Sequence, residues 1–161
     1  MTNEELQKAL IDAIKSRAMF YWDFYNEFAA EIGAEKAAAV MKRAIYKRGL
    51  EIGKAFRQHG PDDLAGLKDD FLAHIPAPHA TFNPEVHSCT AAALDITLHT
   101  CPLRDAWQEA GLSDAEVELM TDIAGQVDKG TFEGAGFSFD PDTWKPGRAS
   151  CCHLKILPGK K

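Results

Sequence analysis

The sequence predicts an α+β fold. A long N-terminal helical hairpin packs on a small, mostly antiparallel sheet, and two helices are inserted before the last strand. Three observations predict it. Apolar residues recur at helical spacing through most of the first 75 positions. Near Pro76 the composition turns from helix formers to β-formers. Beyond that point two-residue alternation, the mark of a half-buried strand, is interrupted by two more helical stretches. With 161 residues the chain is long enough for a proper core. We expect one domain, with a helical layer over 1–75 and a sheet layer with its inserted helices over 76–161.

The first helix is expected from about Asn3 to Ile32. Thr2 or Asn3 caps it, and Glu4 and Glu5 suit its positive end. Leu6, Leu10, Ile14, Tyr21, Phe24 and Phe28 make its apolar stripe. Its dense aromatics read as core packing or as one wall of a ligand pocket. Gly33 ends it. The second helix runs from Ala34 to about Gln58, with Met41, Ile45, Ile52 and Phe56 inward. The short link at Gly33 makes the pair antiparallel. Gly49 and Gly53 lie one turn apart and let another element come close. Arg48 falls in or beside the stripe, which reads as a buried ion pair or as a clamp for a substrate carboxylate.

His59-Gly60-Pro61 breaks the pattern, and a short helix follows over about Asp62–His74. Pro76, Pro78 and Pro84 mark an irregular connector. Glu85–Thr90 and Ala93–Thr100 read as a strand hairpin. Each carries His-x-Cys, and alternation puts His87 with Cys89, and His99 with Cys101, on one face of its strand. Pro102 then starts a helix to Ala110 and leaves Cys101 at the N-cap. A thiol there lies at the positive end of the helix dipole, which favours its thiolate. With His99 nearby, Cys101 reads as a nucleophile or a metal ligand. The rival reading is a thiol that simply caps a helix.

Ser113-Asp114-Ala115-Glu116 is a capping box. It opens a helix to about Val127 that carries Asp122, with Val117, Met120, Ala124 and Val127 inward. Gly130, Gly134 and Gly136 read as a loose loop. Phe137–Pro141 is expected as a short edge strand, and Trp144–Gly147 as a turn. The last strand is expected over Arg148–Leu157. Alternation puts Cys151, His153 and Lys155 on one face and Cys152, Leu154 and Ile156 on the other. Cys151 and His153 are then expected to face the site, with Cys152 in the core.

The formal charge is −6, with no basic block before the final Gly159-Lys160-Lys161, so nucleic acid is an unexpected partner. No apolar run reaches membrane-span length. The acidic N-terminus lacks a signal-peptide core. The four cysteines all lie beyond residue 88, so a cytoplasmic protein with reduced thiols is expected.

These pieces together resemble the family of L-2-amino-thiazoline-4-carboxylic acid hydrolases. The resemblance rests on the first-helix aromatics, Gly33-Ala34-Glu35-Lys36-Ala37 and the Gly49/Gly53 helix. It includes Cys101-Pro102-Leu103 with Trp107 and Gly111, Asp122, and Gly147 followed by Cys151 or Cys152. It departs at Met120-Thr121, where the family pattern often has a cysteine before the aspartate. The resemblance implies a hydrolase that opens a cyclic amidine–thioether with water, giving an N-carbamoyl-cysteine. It implies a small-molecule substrate, and the residues fit that chemistry with a catalytic set of Cys101, Cys151 and Asp122 and with His99 or His153 carrying protons. Arg48, Tyr21 and Trp107 would bind substrate. No cofactor is expected. The alternative is a zinc-binding or small-molecule-binding sensor module without catalysis, whose metal would sit on Cys101, Cys151, Cys152 and His153. The oligomeric state is not legible.

Overall fold

The computed structural model describes residues 1–160. Five α-helices and four strands follow in the order α1 (Asn3–Ile32), α2 (Ala34–Gly53), α3 (Leu64–His74), β1 (Pro84–Cys89), β2 (Leu94–Leu98), α4 (Pro102–Glu109), α5 (Asp114–Gly134), β3 (Ser138–Asp142) and β4 (Cys152–Leu157). This is the α+β class expected. The sheet is antiparallel throughout, in the order β1-β2-β4-β3. Thr2 and Ser113 each close a capping box with the glutamate three residues on. Each box satisfies two N–H groups that a helix start otherwise leaves open. The second helix tightens into a 3-10 turn over Lys54–His59.

The hairpin of α1 and α2 meets the sheet mainly through α5, which packs along α2 and against β3. The α2–α5 seam is made of glycine. A Cβ on Gly49 would lie 2.3 Å from the Val127 carbonyl oxygen, and one on Gly130 would lie 2.2 Å from that of Tyr46. Gly53 and Gly134 continue the seam against Thr131 and Leu50. The close approach expected at Gly49 and Gly53 is therefore present. Its partner lies in a stretch that read as a loop. Glycine weakens an isolated helix by about 1 kcal/mol per residue, and backbone-to-backbone packing overrides that penalty here. So α5 runs seven residues past Val127.

The α1 stripe needs a second correction. Ile14 and Ala18 are buried, but Leu6, Phe24 and Phe28 are exposed, as is Phe20 at 59 %. Phe20, Phe24 and Phe28 line up along the helix surface with centroids 6.1 and 6.3 Å apart. Tyr21, Trp22 and Tyr25, one step round the helix, take the half-buried contacts with the core around Trp107.

The sheet has one apolar face, where Leu94, Ile96, Leu154 and Ile156 are buried. In β1 a bulge between Val86 and Ser88 inserts His87. His87 reaches Thr97 Oγ1 at 2.8 Å, on the other face, while Cys89 pairs with Leu94 and packs into the apolar core. The bulge breaks the alternation, so His87 and Cys89 do not share a face.

Candidate active site

The junction between β2 and α4 builds the site. Leu98 ends the strand, Cys101 is the N-cap and Pro102 begins α4. The Cys101 sulfur is buried and closes no capping hydrogen bond. The Cys151 S–H donates to it, and the Arg104 and Leu103 N–H groups of the first turn add to the effect. Together they lower its pKa despite burial. Cys151 is pushed the other way, because its proton is held between Cys101 and Cys152 and its surroundings are dry. The pair therefore favours a thiolate on Cys101 with Cys151 as donor.

Cys151 lies just before β4, where its N–H donates to the Leu98 carbonyl at 2.9 Å. Its sulfur is 2.8 Å from that of Cys152. Arg104 is the buried arginine of this fold. It donates to Asp105 Oδ1 at 2.8 Å and to the Ala149 carbonyl at 3.2 Å, tying α4 to the segment that delivers Cys151.

These thiols open on a cavity of about 210 Å³ with mostly apolar walls. Trp107 forms part of the wall and is fully buried, its Nε1–H donating to the Ala18 carbonyl at 2.8 Å. Four groups interrupt the apolar lining away from the thiols: Arg17, His74, Thr121 and Asp128. Arg17 is exposed at the rim and has no ion-pair or hydrogen-bond partner among the described residues. His74 Nδ1 lies 2.8 Å from the Asp70 carbonyl. Thr121 donates to the Glu118 carbonyl at 2.9 Å. Burial pushes the Asp128 carboxyl up to about 7.

Of the residues singled out from sequence, Cys101, Cys151 and Trp107 come together on this cavity, and Cys152 joins them. His99 and His153 do not. His99 turns outward to Glu85, at 2.5 Å, because β2 ends at Leu98 and its alternation does not extend to Cys101. His153 does not line the cavity and lies near Thr97 Oγ1 at 3.1 Å and Asp95 at 3.4 Å. Cys151 precedes the strand, so it is not bound by the strand's alternation, and both cysteines reach the cavity. Asp122 pairs with Lys42 at 2.5 Å on the α2 side of α5. Arg48 is exposed on α2, one residue round from the inward Gly49. Tyr21 packs beside the Trp107 core without lining the cavity.

Among the described residues no three His, Cys, Asp or Glu side chains are arranged to hold a metal ion. The set of Cys101, Cys151, Cys152 and His153 is therefore not assembled. Sequence reading missed Arg17 and Asp128. Asp128 had a signal: it falls one turn after Ala124 and two after Thr121, on the inward stripe of α5.

A family model described as L-2-amino-thiazoline-4-carboxylic acid hydrolase matches residues 12–156. The chain belongs to that family. For this thiazoline-carboxylate hydrolase family member, no curated protein gives a match. Among solved structures it is similar to a trafficking protein particle complex subunit 3 from Naegleria fowleri, described as covalently bound to palmitic acid. The identity is 13 %, the match covers 92 % of this chain and 96 % of that one, and the TM-score is 0.58. At that identity the likeness is one of fold. The family name gives a hydrolase, and no helix of this family member is long and apolar enough to cross a membrane.

Proposed function

We propose that this protein opens a small cyclic amidine carboxylate of the 2-amino-thiazoline type, with Cys101 as nucleophile. The supporting observation is the Cys101 thiol itself. It is held toward the thiolate by Cys151 and the first turn of α4, and it faces a cavity. The thiolate attacks the ring carbon between nitrogen and sulfur. The ring carbon–sulfur bond breaks, and the ring carbon stays on Cys101 as an isothiouronium. Water then adds to that carbon and Cys101 departs, leaving a urea and a free thiol on the product. Arg17, an unpaired guanidinium at the rim, takes the substrate carboxylate, a role for which Arg48, which does not line the cavity, is not placed.

Cavity size favours a ring over a fatty chain. An apolar cavity of about 150 Å³ holds one benzene molecule, and about 210 Å³ suits a substituted five-membered ring. Palmitic acid has roughly three times the heavy atoms of benzene and overfills such a space.

The test is turnover of thiazoline, hydantoin and imidazoline carboxylates, followed by intact-protein mass. The wild type should release a thiol from the thiazoline and show a transient adduct that peptide mapping places on Cys101. Cys101→Ser should abolish both and hold its melting temperature within a few degrees. An adduct-free wild type without turnover, or a Cys101→Ser variant that still turns over, overturns the reading. A purified protein carrying a long acyl thioester on Cys101 would move it to the acyl-binding class.

A further inference from the structure

The reaction above, on whose reading this inference rests, needs a proton that the groups considered so far do not supply. The departing ring sulfur, an ordinary alkyl thiol and not an acidified one like Cys101, leaves more readily when it is protonated as its bond to carbon breaks. The mostly apolar cavity offers few sources. The Cys151 proton is held against Cys101. The Thr121 hydroxyl is given to a helix carbonyl. His74 is held by Asp70, whose carboxylate lies 3.2 Å from Nδ1 and whose carbonyl lies closer still. His99 and His153 lie outside the cavity.

Asp128 is different. Its side chain forms cavity wall on α5, and it has no hydrogen-bond or ion-pair partner among the described residues. Asp128 is half-buried, and an unpartnered carboxyl crowded by an apolar wall is unfavourable in its charged form. Such a group is retained at a cost, and its chemistry is the obvious return. It also lies on a second small cleft, between α5 and the β3–β4 end of the sheet, with Asp142 and His153. The titratable and charged groups around it are therefore Arg17, His74 and the three thiols on the cavity side, and Asp142 and His153 on the other.

We propose that Asp128 is the acid–base group of this cavity. As a neutral acid it gives its proton to the ring sulfur while the Cys101–carbon bond forms and the ring carbon–sulfur bond breaks. As the resulting carboxylate it takes one proton from the water that adds to the isothiouronium carbon, which restores the acid. Cys101 then leaves as thiolate. If the amidine entered protonated, the remaining hydroxyl proton passes to solvent as the urea carbonyl forms, so atoms and charge balance with no redox partner. A carboxyl that titrates near 7 holds both forms at neutral pH, which suits a group that must first donate and then accept.

The experiment compares wild type with Asp128→Asn, which keeps shape and polarity. Asp128→Asn should lower kcat by roughly 10²- to 10⁴-fold with little change in KM. The fall of wild-type kcat as pH rises through about 7 should be lost in this variant. His74→Gln and His153→Gln should both keep that limb. The iodoacetamide reactivity of Cys101 should be unchanged in Asp128→Asn, which shows the nucleophile intact and the protein folded. Carboxyl-carbon NMR of the wild type should show one aspartate titrating near 7. An Asp128→Asn enzyme with wild-type kcat and pH profile, or an Asp128 that titrates in the ordinary carboxylate range, overturns the proposal while the Cys101 reading stands. A wild type with neither thiol release nor Cys101 adduct overturns that reading, and the acid role with it.

Discussion

Gly49→Ala tests the seam that fixes α5, and so the cavity wall, against α2. The added methyl would lie 2.3 Å from the Val127 carbonyl oxygen, 2.8 Å from Gly130 Cα and 2.9 Å from the Thr131 nitrogen. All three are backbone atoms of one helix, so no side chain can swing aside. Overpacking of a tight interior costs about 1–3 kcal/mol, and a contact against rigid backbone belongs at the upper end. Replacing glycine by alanine inside a helix returns about 1 kcal/mol. The net loss is about 2 kcal/mol, which for a chain of this size lowers the melting temperature by roughly 4–8 °C. Thermal melts by circular dichroism read this directly. Ala44→Gly, on the exposed side of the same helix, is the control and should lose about 1 kcal/mol through propensity alone. Helix propensity by itself predicts the opposite sign for Gly49→Ala. A variant as stable as the wild type, or more stable, would refute the seam.

Three other outcomes follow from the site. Arg17→Gln should raise KM for a carboxylate substrate by roughly ten- to a hundredfold, the worth of a charged hydrogen bond, with kcat little changed, whereas steady-state kinetics of Arg48→Gln should match wild type. Cys151→Ala removes the thiol that donates to Cys101, so the pH profile of Cys101 alkylation should move to higher pH; an unmoved profile would mean that the helix N-terminus alone holds the thiolate. Asp122→Asn and His153→Ala should turn over at near wild-type rates. The first should lose no more than about 1 kcal/mol in denaturant unfolding, because its pair with Lys42 is 41 % and 35 % exposed and water screens it.

Much of the fold was legible because its signals are local. The capping box at Ser113, the Gly33 break and the Cys101-Pro102 start of α4 each act through neighbours within a turn. The seam at Gly130 and Gly134 was not legible as helix, since its reason lies on α2, far away in sequence. The same limit explains the stripe on α1. Periodicity found the apolar residues but not the side that is covered: Leu10, Ile14 and Tyr21 pack on the core, while Leu6, Phe24 and Phe28 stay exposed. In the site, Cys101 could be read from its cap position. The histidines could not be placed, because a strand end at Leu98 and a bulge at His87 reset the alternation on which their faces depended. Arg17 and Asp128 were hidden for a simpler reason. Each is an ordinary charged residue on a helix until distant segments close a cavity against it.

The dependence of Cys101 on Cys151 has a consequence for how the protein is made. Cys101 is synthesised well before the segment that carries its hydrogen-bond donor. A nascent chain, a C-terminally truncated product or an unfolded molecule therefore carries an ordinary thiol there, with neither Cys151 nor a folded first turn to acidify it. The reactive form is assembled only when β4 docks beside β2 and brings Cys151 to the Leu98 carbonyl. Completion of the chain thus arms the nucleophile, and partial products meet cellular electrophiles without the reactivity of the finished protein.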